Sequence, residues 1–203
     1  MKKLTIALHL VLIVLELAAL FHDFSAFGFA MFKYYTIDSN LLQLLVSILL
    51  VYFLVRARDD IPYGLTVTHL ICAVCLTITF FIALLVLAPQ EGFAYYFLQD
   101  VAPINHAIGP FLSLVTFVGF AGGTPLRKSA LLFPMAASLL YGLIALLLNA
   151  LGLLDGPYFF LRIREVPIST VATWFGIFCV LCLVLSALFV FLRGRLGKLR
   201  RIE

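Results

Sequence analysis

The chain has 203 residues, of which 64% are hydrophobic and 12% charged, with a mean hydropathy of +1.15. A water-soluble globule must present a mostly polar exterior, so this composition excludes one and makes a lipid bilayer the solvent. The formal charge of +4 comes from basic residues flanking apolar runs, where they face anionic lipid, and calls for no nucleic-acid partner.

Crossing the hydrocarbon layer takes about 20 apolar residues. Six runs meet that need: residues 4–20, 37–55, 65–88, 103–121, 130–151 and 168–192. They are too long for barrel strands and do not alternate, so the predicted fold is all-α: a polytopic six-transmembrane-helix bundle forming one integral membrane domain over residues 1–203. With both termini cytoplasmic, eleven of the 14 lysines and arginines fall inside, and only Lys33, Arg162 and Arg164 fall outside. The longer connections, 21–36, 89–102 and 152–167, then all lie outside, which directs the search for function toward the outer leaflet.

The first run follows Met1-Lys2-Lys3, as a secretory signal would. Its length, Glu16 and the following Phe21-His22-Asp23-Phe24 instead read as a retained first helix. Glu16 falls near the outer end of that helix. His9 falls toward the cytoplasmic side and reads as a packing histidine, as does His69 of the third helix.

The second helix opens with Lys33-Tyr34-Tyr35-Thr36-Ile37-Asp38-Ser39-Asn40-Leu41-Leu42-Gln43. At 100° per residue, Thr36, Asn40, Gln43 and Ser47 fall within about 60° of one another, with Ser39 at the flank. Such a polar stripe must face the bundle interior or a wet cavity, because hydrocarbon offers it no partners. Asp38 points away from the stripe and suits a helix N-terminus.

Helix three carries Cys72 and Cys75, and helix six carries Cys179 and Cys182, at spacings known from four-thiolate zinc sites. Both pairs sit mid-helix among apolar residues and threonine, where cysteine serves as a small packing residue. No metal or cofactor is expected.

Helix four opens with Asp100-Val101-Ala102-Pro103-Ile104-Asn105-His106-Ala107-Ile108-Gly109-Pro110. Pro103 suits a first turn, whereas Pro110 clashes with the His106 carbonyl and kinks the helix. Helices two and four both run from outside to inside in this topology, so Thr36 and His106 enter the membrane at similar depth and can meet. A hydroxyl beside a neutral imidazole is the core of a nucleophilic hydrolase, and Asn40 and Asn105 offer amide donors for a developing oxyanion. The alternative is that these groups only hydrogen-bond between helices as packing glue. Glu16 either orients the imidazole, as a carboxylate does in a triad, or belongs to a polar network. Arg162 and Arg164 offer a guanidinium to a substrate carboxylate, or to lipid phosphate.

Three motifs, in this order, carry a resemblance: Lys33 to Thr36 with Gln43 seven residues after the threonine, Asn105-His106 with Pro110, and Gly156-Pro157-Tyr158-Phe159-Phe160-Leu161 before the last helix. They resemble the family of androgen-induced and androgen-dependent tissue-factor-pathway-inhibitor-regulating proteins and its bacterial membrane homologues. The resemblance implies a multipass hydrolase that needs no cofactor, with Thr36 as nucleophile and His106 as its partner, acting on fatty acid esters of hydroxy fatty acids. Two departures stand out. Ala107-Ile108-Gly109 replaces a stretch that carries a second histidine and threonines in the animal members, and Tyr-Phe-Phe-Leu replaces Tyr-Pro-Phe-Leu.

Overall fold

A computed structural model of the chain describes residues 2–56, 61–120 and 125–199, with side chains up to 196. Arg58, Arg200, Arg201, the Lys198 side chain and the predicted end of helix four at Ala121 lie outside the described residues. The helices are α1 (Lys2–Phe27), α2 (Tyr35–Val55), α3 (Tyr63–Ile82), the short α4 (Ala88–Glu91) and α5 (Phe93–Phe97), α6 (Gly109–Val115), α7 (Phe133–Ala150) and α8 (Ile168–Leu199). Wider π turns join α3 to α4 over Ala83–Leu87 and flank α6 at Ile104–Ile108 and Thr116–Phe120. Five helical segments are long and apolar enough to cross a membrane, and Ile104–Phe120 is a shorter apolar sixth. The described residues contain no strand, and the expected all-α polytopic bundle is what forms.

α1 outruns its predicted end at Leu20 and continues to Phe27. The reason is its buried stripe: Thr5, His9, Leu12, Glu16, Ala19 and Asp23 recur at alternating steps of four and three, so Asp23 extends the same inward face by another turn. Gly28, with φ of +55°, then stops the helix in the left-handed conformation that glycine adopts without strain. Most of what reads in the sequence as a long connection is therefore helix.

α3 is the central helix. Buried residues make up 61% of its span, against 22% for the span containing α7 and 17% for that of α8. Leu70, Ala73, Val74 and Ile78 pack with Phe117 and Phe189 into the main apolar core. The cysteines contribute as small residues: Cys75 and Cys182 Sγ lie 3.8 and 3.5 Å from Ser138 Oγ, and all four cysteines are free thiols.

In lipid, apolar burial does not by itself select one helix pairing, so interhelical polar contacts carry much of the specificity. They form a column between α1, α2 and α6. Ser113 donates to Gln43 Oε1 at 2.6 Å, Gln43 Nε2 donates to Ser47 Oγ at 2.9 Å, and Ser47 Oγ meets His9 Nδ1 at 3.1 Å. His69 joins at the side, with Nε2 3.3 Å from Thr116 Oγ1 and its ring edge-on to His9. The α2 stripe thus faces the interior, as its periodicity requires.

Candidate functional site

The end of the bundle that carries Thr36 is built from the C-terminus of α1, the N-termini of α2, α6 and α8, the α4–α5 region, and the 152–167 connection. Tyr34 is extended, so α2 starts abruptly at Tyr35 and places Thr36 in its first turn. The Tyr35 and Thr36 N–H groups have no intrahelical acceptor there, as at any helix start.

Across from them, the helix containing α6 enters through the Ile104–Ile108 π turn. Gly109 N–H bonds to Ile104 C=O, a one-residue widening that makes room for the Pro110 ring expected to clash with His106. His106 Nδ1 lies 3.1 Å from the Ala102 carbonyl oxygen. A carbonyl only accepts, so Nδ1 carries a proton in this contact, and the Tyr96 backbone also hydrogen-bonds to the ring. The imidazole is held edge-on against Tyr96, with ring centroids 5.3 Å apart, and Tyr96 donates to Glu91 at 2.5 Å.

Two cavities meet at this point. A vestibule of about 350 Å³ opens at the Thr36 end of the bundle. A narrow inner cavity, with about 50 Å³ open to a water-sized particle, runs inward between α2, α3, α7 and α8 past Ile78, Leu139 and Phe175. Thr36, Leu87, His106 and Tyr158 line both and form the junction. No hydrogen bond joins Thr36 to His106 among the described residues; His106 bonds to Ala102, and Thr36 contacts Tyr158.

Tyr158 lines the junction beside Thr36, although in the sequence it reads as one more interfacial aromatic. Burial pushes its phenol up to about 12, opposed by hydrogen bonding to the Thr36 side chain and to the backbone of Thr36 and Tyr35. The Thr36 hydroxyl and the first N–H groups of α2 thus point at the phenol oxygen. Its ring stacks on Phe160 at 5.4 Å, and Phe160 stacks on Trp174 of α8 at 4.8 Å, which fixes its position. The available signal was the Gly-Pro-Tyr turn preceding a Trp-bearing helix.

The other predicted residues are distributed as follows. Asn40 and Asn105 lie beside the junction, but their amide hydrogens are engaged: Asn40 Nδ2 bonds to the Thr36 and Asn105 carbonyls at 2.9 and 3.2 Å, and Asn105 Nδ2 bonds to Asp23 at 2.8 Å. Both Asn40 amide hydrogens and one of Asn105 are thus already taken within the bundle, so the expected free oxyanion donors are not found there. Glu16 lines a small cavity with Asn40 and lies against Gly109, with Oε1 lacking a hydrogen-bond partner. Ser39 bonds to its own helix at Tyr35 C=O, and Gln43 lies deeper in the column. Asp38 faces a separate groove with Lys33 and Tyr141.

Arg162 and Arg164 line neither cavity. Arg162 donates to Gly156 C=O at 3.0 Å and pairs with Glu165 at 3.6 Å, while Arg164 packs over Gly152. The acidic side chains lining the vestibule are Asp23, Glu91 and Asp100. Among the described residues, no group of three or more His, Cys, Asp and Glu is arranged to hold a metal ion. No family model, curated protein or solved structure matches the chain.

Proposed function

We propose that the protein is a membrane-embedded hydrolase of long-chain acyl esters, with Thr36 as nucleophile and His106 as general base. One observation carries this reading: Thr36 and His106 line the junction of a polar vestibule and a narrow apolar cavity. An ester bound across the junction has its acyl chain in the cavity, its head in the vestibule and its carbonyl between the two side chains. Nε2 of His106 takes the Thr36 proton as Oγ1 attacks the carbonyl carbon, then delivers it to the departing alkoxide. Water admitted through the vestibule then cleaves the acyl-threonine, activated by the same nitrogen. The Tyr158 hydroxyl, held against Thr36, supplies a donor for the tetrahedral oxyanion. The resemblance to the androgen-induced family adds support and implies hydroxy fatty acid esters as substrates. That class carries a free carboxylate, which Asp23, Glu91 and Asp100 of the vestibule disfavour, so the substrates proposed are long-chain esters with an uncharged head. With the positive-inside orientation, the junction lies toward the outer leaflet.

The test is turnover of a long-chain p-nitrophenyl ester by purified protein, together with mass mapping of a fluorophosphonate adduct. Loss of turnover in both Thr36→Ala and His106→Ala, with the adduct on Thr36, supports the hydrolase. The absence of a Thr36–His106 hydrogen bond favours a second reading, a lipid-binding protein that uses the same cavity without chemistry. Retention of a fatty ester with no product, in wild type and variants alike, would establish that reading instead.

A further inference from the structure

Beneath the vestibule, four polar side chains from three helices surround a space that the hydrolase chemistry does not use. Glu16 and Asp23 come from α1, Asn40 from α2, and Asn105 from the turn before α6; all are at least 94% buried. With Leu20, Leu41 and Leu44 they line a cavity of about 10 Å³, which is room for one water-sized particle.

Two oxygens facing this region have no hydrogen-bond partner: Glu16 Oε1 and Asn40 Oδ1. A Cβ at Gly109 would stand 2.7 Å from the first and 3.1 Å from the second, so both flank one point that a glycine keeps free. Asn40 cannot relieve the conflict by rotating its amide, because its nitrogen is held by the Thr36 and Asn105 carbonyls. Asp23 is partly compensated by Asn105 and by His22, 3.5 Å away. Glu16 pairs with no lysine or arginine among the described residues. A carboxyl buried in a membrane span must either hold a proton or meet a counter-charge.

We propose that Glu16, Asn40 and Asp23 form a binding site for a small monovalent cation, Na⁺. A proton shared by two oxygens would satisfy the orphaned pair alone, but it would leave the adjoining cavity without a role. The donors are all hard oxygens, which suit an alkali or alkaline-earth ion. Only one carboxylate is unpaired, which matches a single positive charge. This site is independent of ester hydrolysis and stands if that reading fails.

The test uses the full chain in detergent. Thermal unfolding is followed with a thiol-reactive fluorophore, which the buried cysteines report, in Na⁺, K⁺, Ca²⁺ or N-methyl-D-glucamine chloride at equal ionic strength. Na⁺ is expected to raise the midpoint saturably by about 3 °C over N-methyl-D-glucamine, with K⁺ and Ca²⁺ less effective. The increment disappears in Glu16→Gln and in Gly109→Ala, whose methyl group crowds Glu16 Oε1 and Asn40 Oδ1. Equilibrium binding of ²²Na⁺ to wild type gives about one ion per chain and does not depend on any variant folding. The proposal is overturned by no Na⁺-specific shift in wild type, by an equal shift with K⁺ or Ca²⁺, by a shift that persists in Glu16→Gln, or by stability that responds to pH but not to Na⁺.

Discussion

Tyr158 illustrates how one phenol links structure to rate. Tyr158→Phe keeps the aromatic stack on Phe160 and removes only the hydroxyl, so kcat for a long-chain ester should fall about 10²-fold with KM nearly unchanged, as for loss of one oxyanion donor; steady-state kinetics check this. Its pH dependence follows from burial, which raises the phenol to about 12. A raised value means that the neutral form contributes stability fully below the ordinary tyrosine range of about 10, and that this is lost as pH rises through about 12. Thermal unfolding across that alkaline window should therefore show a smaller loss in Tyr158→Phe than in wild type. Gly109 is the second instructive residue. Its missing side chain makes room for Glu16 Oε1 and the Ile104 carbonyl, 2.7 and 2.9 Å from where a Cβ would stand. Gly109→Ala should destabilise by about 1–3 kcal/mol through overpacking, measurable by denaturant unfolding. The sequence marks residue 109 only as a departure from a family pattern, because the residues that crowd it come from α1 and from its own π turn.

At the scale of helices, the α2 stripe was legible because Thr36, Asn40, Gln43 and Ser47 obey the helical period, and lipid forbids them an outward face. Their partners were less legible. Ser113 and His9 meet Gln43 and Ser47 through the packing of α1 and α6 on α2, which no single-helix pattern encodes. Ser113→Ala removes the donor to Gln43 Oε1, and destabilisation of about 1 kcal/mol is expected, the scale of interhelical hydrogen bonds in membranes. Combined with Gln43→Leu in a double-mutant cycle read by unfolding, the pair should show a coupling of about 0.6 kcal/mol; additivity would mean the bond contributes nothing. Pro110 was likewise legible as a disruption, but the π turn that absorbs it, and that sets how His106 meets the junction, is a response of the folded helix.

For the molecule as a whole, the joined cavities are the property most open to test. Ala83 is buried on the wall of the inner cavity, and Ala83→Phe should fill the channel. Turnover of long-chain esters is then expected to fall at least about 10-fold relative to short-chain ones, seen as a shift in kcat/KM across a chain-length series. Six apolar runs, their helical state and the inward face of the α2 stripe were determined by the sequence alone, because bilayer thickness and the cost of unpaired polar groups act on every residue locally. The extension of α1 through Asp23, the engagement of the Asn40 and Asn105 amides, the arrival of Tyr158 beside Thr36 and the facing oxygens of Glu16 and Asn40 were decided only by tertiary structure. Each depends on distances between side chains from different helices, and those distances are set when the helices pack together, not by the spacing of residues along the chain.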